Sequence, residues 1–167
     1  MKQQSIIKKT QNKFIIVSTL LIIIMLLSAC GKNVQSTDLS KIEFDGMKIG
    51  DIVHWEDFSN YTYISKNHYE EITIDTDVED NIIYLFSYFS DNKHPGVTIS
   101  INGTENSKTI DDITNLLGNH YTAQPEQGNL SKHIYFDAER EIRAEFIYNN
   151  QGKALRYIRI SNSALYE

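Results

Sequence analysis

The chain has 167 residues, 41% of them hydrophobic and 23% charged, with two prolines and one cysteine, which allows one modest folded domain. A lone cysteine excludes an internal disulfide framework, and with it a zinc ribbon or an iron–sulfur cluster. The net charge of −6 conceals a split, because residues 1–29 hold four lysines and no acid, leaving 12 basic against 22 acidic residues in 30–167, a net of −10. An acidic domain with no basic patch argues against nucleic-acid binding. Anionic lipid headgroups would repel it too, so it should stand off a membrane surface.

The first element is an address. Residues 1–13 are polar and basic through Lys2, Lys8, Lys9 and Lys13, and Phe14 to Leu27 is almost wholly apolar. That run would span about 21 Å as a helix. It is shorter than the roughly 20 residues a membrane span needs, and it matches the core of a signal peptide. Leu27-Ser28-Ala29-Cys30 resembles the lipobox of bacterial lipoproteins at every position. The resemblance implies cleavage between Ala29 and Cys30 and a diacylglyceryl group on the Cys30 thiol; the competing reading is an uncleaved helix that ends in an incidental cysteine. Each buried CH₂ contributes about 0.8 kcal/mol, and two acyl chains hold what one holds only marginally. Gly31 stands where an aspartate would imply inner-membrane retention. The Lys-, Ile- and Asn-rich style is similar to that of Gram-positive lipoproteins. The expected location is therefore the cell membrane, lipid-anchored on the extracytoplasmic side.

Lys32 to Ser40 is polar and aperiodic, and reads as a flexible tether. The lipidated cysteine and tether thus occupy 30–40, and a single domain occupies 41–167, with its elements between about Lys41 and Ser161. A short helix is expected over Asp51–Phe58, with Ile52, Trp55 and Phe58 on one side. Glu71–Asp75 alternates apolar and polar residues. Ile82–Phe89 follows an acidic turn, and Val97–Ile101 ends at the turn dipeptide Asn102-Gly103. Thr109 and Asp112 form a capping-box pattern ahead of Ile113, Leu116 and Leu117, and Gly118 suits the stop. His133–Asp137, Glu141–Tyr148 and Ala154–Ile160 then read as three more strands. The expected class is α+β: an antiparallel β-sheet meander with one or two short helices packed on one face.

The order of signals occurs twice, as helix, tyrosine-bearing loop and strands, which suggests tandem helix–sheet repeats over 42–101 and 102–161. Ordinary α+β alternation is the competing explanation. Thr109 to Gly118, a small helix ending in Leu-Gly, resembles the unit shared by the outer-membrane assembly lipoproteins of the SmpA/OmlA type and the β-lactamase inhibitory protein. The resemblance implies helices packed on an antiparallel sheet, with tandem copies forming one concave sheet. It covers residues 42–160, and the first copy lacks the Leu-Gly helix end.

No catalytic or cofactor-binding residue is assigned. Gly46 to Gly50 lies outside any apolar stretch, and His54-Trp55-Glu56 lacks the cysteine half of a zinc deaminase motif. His54, His68, His94, His120 and His133 are scattered and read as turn and surface residues, not metal ligands. Asp75–Asn81 invites calcium, but Asp80 and Phe86 stand where an EF-hand loop needs glycine and glutamate; a solvated acidic turn is the plainer reading. The N-x-S/T triplets at Asn60, Asn102 and Asn129 are expected by chance. Tyr61, Tyr63, Tyr69 and Tyr121 form a candidate binding face, since tyrosine offers area with a polar tip. The alternative is that each caps the sheet edge. Three function classes remain. The first is a non-enzymatic protein-binding module of envelope-accessory, inhibitor or immunity type, with a partner bearing a basic face. The second is a small-ligand or ion carrier at the cell surface. The third is a wall-active enzyme with paired carboxylates, which no residue singles out. Replacing the lipid-bearing thiol tests the address: Cys30→Ala should yield an uncleaved precursor without lipid mass in intact-protein mass spectrometry, and a processed, lipidated product would refute it.

Overall fold

The computed structural model describes residues 35–89, 96–105 and 107–162. Alternation builds the sheet. In β5 (Ile82–Tyr88) and β10 (Leu155–Asn162), Leu85, Ser87, Ile158 and Ile160 are buried, while Tyr84, Phe86, Tyr157 and Arg159 are half-buried. Residues of one parity face the core and those of the other parity face outward. These two strands pair at the centre of an eight-stranded antiparallel sheet. On one side follow β4 (Thr73–Thr76), β3 (His68–Tyr69) and β2 (Tyr63–Ser65). On the other follow β9 (Ile142–Asn149), β8 (Leu130–Asp137) and β7 (Thr122–Pro125). β7 ends on Pro125, and an edge strand tolerates the missing N–H.

A second layer covers the inner face. β1 (Ile42–Phe44) and β6 (Ile99–Ile101) pair antiparallel and bury Ile42, Phe44, Ile99 and Ile101 in the same cluster as Ile74, Leu85, Phe146, Ile158 and Ile160. Helix α1 (Ile110–Leu117) adds Ile110, Ile113 and Leu117. Its cap is the expected one: Asp112 N donates to Thr109 Oγ1 at 3.2 Å, and Thr109 N donates to Asp112 Oδ2 at 2.9 Å. The end of α1 is tied to the sheet through Tyr135 Oη, which donates to the Gly118 carbonyl at 3.1 Å. Among the described residues no helix is long and apolar enough to cross a membrane.

The elements fall into two matching sets. Each set is a short strand, a helical segment and four antiparallel strands. β1 and β6 both run into a tight turn with positive φ at its two central residues, Asp45-Gly46 and Asn102-Gly103, where glycine is at ease and asparagine or aspartate is tolerated. Phe44 and Met47 exchange two backbone hydrogen bonds across the first turn, as Ile101 and Thr104 do across the second. Farther on, Val53 N donates to the Asp80 carbonyl and Ile110 N to the Lys153 carbonyl. Likewise Ile82 N donates to Asp51 and Leu155 N to Lys108. The β4–β5 and β9–β10 pairings each shift register at one place, with Thr76 opposite Ile82 and Tyr148 opposite Leu155. Matching residues meet at two points, Glu43 opposite Ser100 and Phe86 opposite Arg159. A pseudo-twofold relation between the sets therefore runs through both layers.

Three expectations need correction. Asp51–Phe58 is not a helix; a 3₁₀ helix covers Trp55–Asn60, because Asp51 and Val53 are drawn into extended backbone pairing with the β4–β5 turn, and Ile52 is 60% exposed. Val97–Ile101 pairs with β1 and not with its neighbour in sequence, so the two sets divide between Phe89 and Gly96, not at Ile101. The end of the expected tether is part of the fold: Leu39 is 1% exposed in the core, Leu39 N donates to Asp137 Oδ2, and Thr37 N donates to the Phe136 carbonyl. Lys32–Val34 lie outside the described residues. Leu39→Ala should therefore cost about 2–5 kcal/mol, the range for an emptied core leucine, as read from urea unfolding; a midpoint unchanged from the parent would return 36–40 to a loose tether.

Candidate functional site

The first set carries a run of touching rings. Phe58 is buried by the 3₁₀ helix and stacks on Tyr69 of β3, with ring centroids 5.3 Å apart. Trp55 lies 5.8 Å and Tyr61 5.3 Å from Phe58, and Tyr63 of β2 meets Tyr69 edge-on at 6.0 Å. The inner members are anchored: Tyr61 Oη donates to Asp45 Oδ2 at 2.7 Å, and burial followed by that hydrogen bond pushes the phenol well above its ordinary range. The outer members are open, Trp55 at 37% and Tyr63 at 66% exposure. They line a groove of about 510 Å³ together with Lys66, Asn67, Tyr69, Thr76, Asp77 and Asp80. The large apolar side chains exposed among the described residues are Ile52, Trp55, Tyr63, Ile64 and Val78, and all belong to this first set. Trp55 and Tyr63 share the groove wall, and such juxtaposition distinguishes a contact surface from the scattered apolar exposure every protein shows.

Asp77 is committed to its turn. One oxygen accepts from Glu79 N at 2.8 Å and Asn81 N at 3.0 Å, and the Asn81 amide bonds both oxygens. The Asn81 side chain and these backbone donors hold its carboxyl below the usual range. Among the described residues no group of three His, Cys, Asp or Glu side chains could hold a metal ion. Asp75 and Thr76 belong to β4, and Asp77–Asn81 is a turn closed on itself.

The second set builds a comparable aromatic cluster and fills it. Tyr121 stacks on His133 at 3.6 Å and lies 5.6 Å from Tyr135, while Tyr148 meets His133 edge-on. Lys153 Nζ pairs with both oxygens of Asp111 at 2.9 Å. No polar partner meets His133 Nδ1.

The outward face of the sheet carries a charge network. Glu145 Oε2 pairs with Arg159 at 2.6 Å and with Lys132 at 3.4 Å, Glu145 Oε1 pairs with Arg143, and Glu126 bridges Lys132 and Arg159. Burial alone would raise the Glu145 carboxyl, but Arg159, Arg143 and Lys132 together outweigh it and hold it low. Phe86 and Tyr157 lie beside the network, 5.5 Å apart, and the Arg159 guanidinium stands over the Tyr157 ring.

Of the tyrosines singled out from sequence, Tyr61, Tyr63 and Tyr69 come together, and Tyr121 belongs to the second cluster. Trp55 and Asp80 complete the groove and were missed, because their approach depends on pairing of distant segments. The outward network was missed for the same reason, although the alternation of Arg143 and Glu145 along β9 was a usable signal. His54 and His120 are exposed, His68 bonds Thr73 at 2.6 Å, and His133 is buried instead of lying at the surface. His94, Ala29 and Cys30 lie outside the described residues. Comparison of the chain with known protein families, with curated proteins and with solved structures finds no match in any of the three.

The buried histidine makes a pH prediction. Burial lowers the His133 value in the folded protein, so between that value and the unfolded pKa of about 6.5 the unfolded chain binds more protons. Its stabilising contribution is full above that unfolded value and is lost as pH falls through the window. Thermal melts of His133→Phe, which keeps a ring against Tyr121, should fall less steeply than the parent between about pH 6.5 and 5; parallel slopes would mean that His133 does not titrate on unfolding.

Proposed function

We propose that the protein is a lipid-anchored, non-enzymatic protein-binding module displayed on the extracytoplasmic side of the cell membrane. Its α+β domain is, in this reading, a tandem duplication of one helix–sheet unit, akin to the assembly lipoproteins and the inhibitory protein named above. The mirrored turns, matching register shifts and two self-matching pairs support duplication. The lipobox at Leu27-Ser28-Ala29-Cys30 supports the anchor.

One observation carries the binding role. Two exposed aromatic residues, Trp55 and Tyr63, line one groove with Tyr69, Asp77 and Asp80 on its wall. Interfaces concentrate their binding energy in such aromatic centres within a polar surround. The net charge of −10 over residues 30–167 favours encounter with a partner bearing a basic face. The module is of the envelope-accessory, inhibitor or immunity type.

The test is cross-linking on intact cells, followed by mass spectrometry of captured neighbours, for the parent and for Trp55→Ala/Tyr63→Ala. A single dominant protein partner, lost or reduced about tenfold or more in the double variant as expected for a hot-spot pair, is the expected result. Equal capture by both forms, or none above background, would overturn the reading.

A further inference from the structure

We infer that the first-set groove accepts a cationic side chain, a lysine ammonium or an arginine guanidinium, presented by the partner protein. This rests on the binding-module reading and adds the chemistry that enters the groove.

The two sets correspond at several places around the groove, with one residue more in the second turn. Val53 N bonds the Asp80 carbonyl where Ile110 N bonds the Lys153 carbonyl, so Asp80 and Lys153 hold corresponding positions. Both have positive φ, +62° and +56°. The residues just before Val53 and Ile110 pair alike with those just after Asp80 and Lys153: Ile52 bridges Asn81 and Thr109 bridges Ala154. Thr76 opposite Ile82 corresponds to Tyr148 opposite Leu155. Tyr63 against Tyr69 corresponds to Tyr121 against Tyr135, at 6.0 and 5.6 Å.

In the second set this place is occupied from within. Tyr148 and the buried His133, stacked on Tyr121 at 3.6 Å, supply the bulk, and the exposed Lys153 ammonium pairs with Asp111. In the first set Thr76 replaces the large ring, and the space stays open as the groove of about 510 Å³. Asp80 holds the chain position of the lysine, so a carboxylate stands on the groove wall where the other set has a basic residue. The rings of Trp55 and Tyr63 remain exposed. Relative to the second set, the first lacks the filling ring of Tyr148 and carries a carboxylate in place of the exposed lysine.

The chemistry of the opening agrees. Aromatic faces attract ammonium and guanidinium groups, more strongly as water is excluded. Asp80 can serve as counter-ion without losing a bond, because its turn is held by its backbone and by Asp77. An alkyl stem of lysine or arginine length would cover Trp55 and Tyr63 while its charged head reached Asp80. Lys66, also on the groove wall, gives the partner's cation a like charge to avoid, which orients the stem toward Asp80.

Trp55 is the sole tryptophan of the chain, so its fluorescence reports occupancy directly. The full lipidated chain in detergent is titrated with end-blocked Gly-Gly-Arg-Gly-Gly, with its lysine counterpart, and with an uncharged norleucine counterpart. The arginine and lysine peptides should change Trp55 emission with saturation, weakening as salt rises, and the norleucine peptide should bind about tenfold more weakly or worse. Asp80→Lys, which gives the groove its own cation, should abolish the response. Asp80→Asn, tolerated at this φ, should weaken it about threefold. Equal response to norleucine, or an Asp80→Lys protein that still melts cooperatively and binds as the parent does, would overturn the inference. Should the captured cellular partner be unaffected by Asp80→Lys yet lost in Trp55→Ala/Tyr63→Ala, the binding module stands and the cation site falls. Peptide binding with no cellular partner captured would keep the cation site and remove the protein-binding module.

Discussion

An eight-stranded antiparallel sheet holds alternate side chains on opposite faces, and only burial of the apolar row offsets the conformational entropy of ordering it. Here the row of Ile74, Leu85, Phe146, Ile158 and Ile160 is covered by a two-stranded ribbon, by α1 and by the 3₁₀ helix. The covering layer arises from both sets, since β1 comes from one and β6 from the other. Neither set can close its half of the core alone. The β5–β10 pairing joins the sheet, the β1–β6 pairing joins the cover, and Leu39 seals the side near Asp137.

Given that shared frame, the sets differ where side chains leave the core. Inward positions are mostly apolar in both, as in Ile42 and Ile99, Phe44 and Ile101, Val53 and Ile110, Leu85 and Ile158, with Ser87 against Ile160 the exception. Outward and end positions diverge. Phe86 meets Arg159 at the centre of the sheet, so one side of the outward face is aromatic and the other is charged. The network around Glu145 is partly desolvated, and removing one partner of such a network strands the others. Thr76 against Tyr148 leaves an open groove where the second set has a filled cluster, and Asp80 against Lys153 reverses the charge beside it. A packed frame tolerates such changes at its margins because they leave the buried volume intact.

Much of the sheet was legible in composition and turns. β5, β8, β9 and β10 run seven or eight residues rich in β-branched and aromatic side chains, and α1 announces itself through Thr109, Asp112 and Gly118. The shorter strands β1, β2, β3 and β7 span two to four residues, too few for alternation to register. Asp51–Phe58 has helical apolar spacing, but backbone hydrogen bonds to the β4–β5 turn outweigh that local preference. Ser36–Ser40 looks like linker because its one large apolar residue, Leu39, finds its pocket only against residues far along the chain. The tyrosines were visible as a class, while their grouping with Trp55 depended on the return of β2 and β3 beside the 3₁₀ helix.

By itself the sequence determined whatever depends on neighbours along the chain. That includes the lipobox pattern, the charge contrast across residue 30, the capped helix, the glycine-bearing turns and the faces of the long strands. Each follows from local sterics, period or composition. Tertiary structure alone decided that Val97–Ile101 pairs with β1, that Leu39 belongs to the core, that His133 is buried, and that Trp55, Tyr63 and Asp80 line one groove. Those outcomes depend on contacts between residues distant in sequence, whose energies are set by how two surfaces fit and which no local pattern encodes.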